Sequence, residues 1–206
     1  MTDQDTADLA YLRGLAEEGA RSPVQGGSIL FAAGTIYGLA SVAHWVVGSA
    51  LLPVPPEAYS YVWGVAVLAF FVALIVLVRR LKRSGGTMTA ANRAFSIVWS
   101  ALGWGIFALF LSIVAVDLAR DGQADIADIA LLIPSIILAF YGVGWAVTAT
   151  MARSRPLWWL AIASFVAAPG LALLAGTDVQ YLAYALVLFG LMALPGYLLM
   201  RRAARP

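Results

Sequence analysis

The chain contains no cysteine and a single histidine, and only 12% of its 206 residues are charged. Without cysteine there are no disulfides, no thiolate metal ligands and no cysteine nucleophile. The charged share is about half that of soluble domains, too little to clothe an ordinary water-facing surface. Catalytic patterns are also missing. No Ser–His–Asp order, HExxH, P-loop or paired-carboxylate motif occurs, and no lysine stands where it would hold a retinal. Catalysis needs a positioned acid, base or nucleophile, so the chain is not expected to be an enzyme, and no cofactor or metal is expected.

What fills the sequence instead is apolar: 62% hydrophobic residues with a mean hydropathy of +0.87. Six runs without Asp, Glu, Lys or Arg take up most of it: 22–56, 58–78, 94–116, 129–152, 156–177 and 179–200. Each is long enough to cross the ~30 Å hydrocarbon core as a helix. Lipid offers no hydrogen bonds to the backbone, so helices satisfy it where isolated strands cannot. An all-α integral membrane protein of six transmembrane helices in one bundle is expected. The helices are placed at about 27–52, 59–79, 94–118, 128–152, 157–176 and 179–201, forming one domain over 26–206 behind an acidic segment, 1–25.

Charge orients the spans. Twelve of the thirteen Lys and Arg flank alternate ends: Arg13 and Arg21, the stretch 79–93, Arg153 with Arg155, and the tail from Arg201. Only Arg120 falls in the other connections. By the positive-inside rule both termini face the cytoplasm. Glu57, Asp125, Asp128 and Asp178 stand before helices that run inward, where a negative charge suits the helix dipole. Lys82 is the only lysine among these basic residues. That arginine bias points to a GC-rich bacterial genome and hence to the inner membrane. Residues 1–21 are acidic, so no secretory signal is expected and the first helix is retained. The basic residues mark helix ends, so no nucleic acid is expected as a partner. The chain parses as three hairpins of similar length, a weak repeat, with no inverted repeat of the kind transporters carry.

Few residues stand out against this apolar background. His44 borders a stripe of small residues (Gly27, Gly34, Gly38, Ser41, Gly48) that should face protein, because small residues let helices approach closely. Polar glue between helices, contact with a ligand or pH sensing, and haem or metal ligation all remain open for it. Tyr37, Trp104 and Tyr141 fall near the midpoints of their helices, with Trp145 a turn further on. Gly103, Gly105, Gly142 and Gly144 beside them would admit close backbone, so these aromatics either pack as knobs or line a ligand cavity. Pro134, Pro169 and Pro195 are expected to kink their helices. Tyr59, Tyr61, Tyr181 and Tyr184, and Trp158 with Trp159, suit interfacial belts. Asp117 and the acids after it form a solvated loop or a weak cation site.

In the N-terminal segment Leu9, Leu12 and Leu15 share one face of a short amphipathic cytoplasmic helix. That face folds onto the basic loop or, through residues 5–19, meets a membrane or cytoplasmic protein. Two functions survive. The first is a non-enzymatic subunit or regulator working through protein contacts, with a homo-oligomer left open. The alternative is a permease or binding component for a small or lipid-like ligand, using the midplane aromatics.

Overall fold

A computed structural model describes residues 26–49, 53, 55, 57–83, 90–119 and 127–203. Among them there is no strand, and six helices are long and apolar enough to span a bilayer. The protein is an all-helical, multi-pass membrane protein in contact with lipid. The helices are α1 (Gly27–Gly48), α2 (Ala58–Arg83), α3 (Ala90–Ala119), α4 (Ala127–Met151), α5 (Arg155–Leu173) and α6 (Gln180–Ala203). The N-terminal segment with Leu9, Leu12 and Leu15, and the stretch 120–126, lie outside the described residues.

The ends depart from the expected ones for local reasons. α1 stops at Gly48 rather than at 52, ahead of Pro53, Pro55 and Pro56, which disfavour helix in the residues before them. α2 runs on through Arg79, Arg80, Lys82 and Arg83, because these residues leave the apolar run but are good helix formers. α4 ends with Arg153 at φ 46°, a left-handed position more often given to glycine. The Ser154 N–H returns to the Ala149 carbonyl at 3.0 Å, so α5 folds straight back along α4.

α1 packs between α2 and α6, while α4 packs between α3 and α5. The predicted small-residue stripe faces α6: Gly27, Gly34, Gly38 and Ser41 are buried. A Cβ on Gly27 would fall 2.6 Å from the Gly196 carbonyl oxygen, and one on Gly34 would fall 2.8 Å from Met192 Cβ. Backbone therefore lies against backbone, the arrangement small residues permit in lipid. Gly48 is exposed at the end of the stripe.

α6 contains one π-helical turn, Phe189–Ala193, immediately before Pro195. Proline has no N–H, so the Leu191 carbonyl loses its usual donor four residues on. Trp145 of α4 supplies one, its indole N–H donating to that oxygen at 3.0 Å. A second bond joins the same helices near their N-termini. Gln180 Nε2 donates to the Leu131 carbonyl at 2.6 Å, and Gln180 Oε1 accepts the Gly176 N–H at 3.2 Å. Gln180 is 1% exposed, and both ends of its amide are used. Pro134 and Pro169 lie within unbroken α4 and α5. α2 and α3 are different in kind: Ala66 is the buried residue of α2, and α3 buries Asn92 and Phe95 near its start.

Candidate functional site

His44 lies one turn before the end of α1, where α2 begins and α6 starts back. Its ring stacks on Tyr181 at 3.5 Å between centroids and meets Tyr59 at 4.4 Å. Trp63 approaches edge-on, and its indole Nε1 donates to His44 Nδ1 at 3.0 Å. An indole can only donate, so Nδ1 must accept, which makes the imidazole neutral with its proton on Nε2. His44 thus ties α2 to α1, while Nε2–H has no protein partner among the described residues. Glu57 and Asp178 stand exposed just before α2 and α6.

Deeper in, Tyr141 of α4 and Tyr184 of α6 belong to the buried core, and Tyr37 of α1 packs against it. Tyr141 is 8% exposed and Tyr184 4%. Tyr37 packs on Phe70 of α2, and Tyr141 on Trp99 of α3. None of the three hydroxyls makes a hydrogen bond to protein among the described residues. Among those residues Ser135 Oγ is the buried polar side-chain atom that is both sealed and unpartnered. Buried hydroxyls are paired as a rule, so those of Tyr141 and Tyr184 stand out, with the half-buried Tyr37 packed against the same core.

Ser135 has a different explanation. Ser41, Ser112, Thr148, Thr150 and Ser164 each donate to the carbonyl four residues back. For Ser135 that carbonyl belongs to Leu131 and is already held by Gln180.

Trp145, 0% exposed, lies edge-on to Trp99 at 5.3 Å. Trp99 in turn donates to Thr148 Oγ1 at 3.2 Å. The structure brings Tyr37, Tyr141 and Trp145 into one interior and places His44 beyond Tyr181 toward its end. It does not bring Trp104 there. That side chain is 72% exposed on α3, in ring contact with Phe107. Nothing lies within 4 Å of a Cβ on Gly103, so no neighbour covers that face of α3. Gly142 and Gly144 do admit close neighbours, the Phe165 ring of α5 and Leu102 with Trp99 of α3.

Tyr184 departs from the expected belt because Gln180 pins the start of α6 against α4, turning the next helical turn inward. Trp63 and Trp99 were not singled out from sequence; like Trp145, each has an acceptor across a helix interface, a tertiary contact that no sequence pattern marks. Asp117 is exposed, and among the described residues no three His, Cys, Asp or Glu side chains are grouped to hold a metal ion. No protein-family model, curated protein or solved structure matches the chain.

Proposed function

We propose that the protein is a non-enzymatic component of the bacterial cytoplasmic membrane that binds a small ligand between α1, α4 and α6, as a permease or as a binding subunit. The observation that carries this reading is the burial of Tyr141 and Tyr184, with Tyr37 packed against the same core, and none of their hydroxyls having a hydrogen-bond partner among the described residues. A site of this kind, mostly apolar with a few placed polar groups, suits small molecules. Arg79–Arg83, Arg153, Arg155, Arg201 and Arg202 gather at one end of the helices, and Glu57, Asp117 and Asp178 at the other. That asymmetry supports both termini lying on the cytoplasmic side.

Native mass spectrometry of protein released gently from its own membrane tests the ligand. A non-lipid adduct is expected on the wild type and should be missing from Tyr141→Phe/Tyr184→Phe. Identical spectra for the two would end the reading.

The regulator or subunit reading draws on a separate observation. α2 and α3 each pack chiefly on one neighbour, and α3 turns Trp104, Phe107, Leu111 and Val114 to the outside. Under that reading, removing residues 1–20 abolishes co-purification of a protein partner and leaves small-molecule binding intact.

A further inference from the structure

We infer that the His44–Trp63 hydrogen bond is a protonation switch, which ties the first turns of α2 to the end of α1 only while the imidazole is neutral. The device goes beyond the ligand reading and is separate from the tyrosines of the deeper core. Trp63 Nε1 can only donate, so the 3.0 Å bond exists only while Nδ1 of His44 keeps its lone pair. A second proton on the imidazole sets N–H against N–H, and the bond is lost. The ring itself stays lodged, because it stacks on Tyr181 of α6 at 3.5 Å and a cation is attracted to an aromatic face. What then holds α2 is apolar: Tyr59 against the His44 ring, the buried Ala66, and Phe70 against Tyr37 two turns deeper. Lipid is as apolar as those contacts, so the polar tie counts for more here than it would in water.

The surroundings leave the ring free to charge and discharge. His44 is half-buried one turn from the end of α1, within reach of protons from the side on which Glu57 and Asp178 stand exposed. The rings facing it are Tyr59 and Trp63 from α2 and Tyr181 from α6, and α1 itself carries no Asp, Glu, Lys or Arg. Glu57 and Asp178 are the charged residues at the adjoining starts of α2 and α6, and among the described residues no carboxylate contacts the imidazole. Nothing therefore locks the ring in its charged form, as a carboxylate in contact would. Histidine is also the side chain whose charge ordinarily changes within the physiological range, and this chain has one.

The single histidine makes the test selective. NMR of the imidazole nitrogens, on the histidine-labelled full chain in nanodiscs titrated from neutral to acid pH, reads tautomer and charge together. At neutral pH the proton is expected on Nε2, with Nδ1 accepting. On acidification the Trp63 indole signal, assigned by its loss in Trp63→Phe, should shift together with the imidazole. In Trp63→Phe no bond opposes the proton, so His44 should take it up roughly two- to tenfold more readily, the worth of one neutral hydrogen bond. Trp99→Phe removes an indole donor that serves Thr148 instead and should titrate as wild type. Nitroxides on Leu39→Cys/Tyr61→Cys, exposed positions of α1 and α2 in a chain without cysteine, should show a broader separation in acid. The wild-type titration and the nitroxide distances stand even if Trp63→Phe fails to fold. A proton on Nδ1 at neutral pH, an imidazole that titrates without moving the Trp63 signal, or one nitroxide distribution at every pH overturns the proposal. So does equal proton uptake in wild type and a folded Trp63→Phe, or a ring that stays neutral until the protein unfolds.

Discussion

Single polar atoms decide much in this apolar interior, because each one is either paired or conspicuous. Ser135 is the clearest case: its hydroxyl is sealed, unpartnered and deprived of the Leu131 carbonyl by Gln180. Removing an unsatisfied buried hydroxyl relieves its desolvation, so Ser135→Ala should leave stability unchanged or raise it by ~1 kcal/mol in a denaturant titration. Gln180→Ala should do the reverse, because it strips partners from Leu131 and Gly176 at once. The His44–Trp63 bond makes a separable prediction. Trp63→Phe keeps most of the ring and loses the donor, costing ~0.5–1.5 kcal/mol. His44→Phe should add little further cost in the double variant, since the two act through one bond. Additive losses would show that ring stacking on Tyr59 and Tyr181, rather than the hydrogen bond, is what His44 contributes.

Among the helices, α1, α4 and α6 carry the architecture, and their joints are glycine contacts and captured carbonyls rather than apolar stripes. Because lipid is as apolar as leucine, close backbone packing must hold α1 to α6. Gly34→Ala therefore forces backbone apart at Met192 and Ala193 and should destabilise by ~1–3 kcal/mol, whereas Gly103→Ala, facing open space, should be silent. Trp145 is likewise the side-chain donor to the Leu191 carbonyl within the π turn of α6. Trp145→Phe keeps an aromatic ring but abandons the Leu191 carbonyl that Pro195 cannot serve, at a cost of ~1–3 kcal/mol. Adding Pro195→Ala to that variant should restore part of the loss, because an N–H returns to the helix; thermal unfolding of the pair reads this directly.

Across the whole molecule, what was legible in the sequence follows from how lipid constrains a chain. Six spans, the depth of Tyr37, Tyr141 and Trp145, and the protein-facing stripe of α1 follow from run length, position along a helix and residue size. Direction around a helix was harder to read. α3 is apolar on every side, so nothing in its pattern says which face turns inward, and Trp104 at midspan points away from the interior that Tyr141 enters. Tyr184 was misplaced for a related reason: its distance from the helix end suited a belt, but the pinning of α6 by Gln180 is a tertiary contact. The pairing of His44 with Trp63 is equally tertiary, since the two lie on different helices.

The central claim is that Tyr141 and Tyr184 keep their hydroxyls for a ligand and not for the fold. Thermal unfolding of wild type and Tyr141→Phe/Tyr184→Phe, each measured as gently extracted and again after exhaustive washing in detergent, tests it most directly. The account predicts that the variant melts below wild type only in the gently extracted pair, where bound ligand stabilises the wild type alone. The same deficit after washing, or none in either preparation, would contradict it.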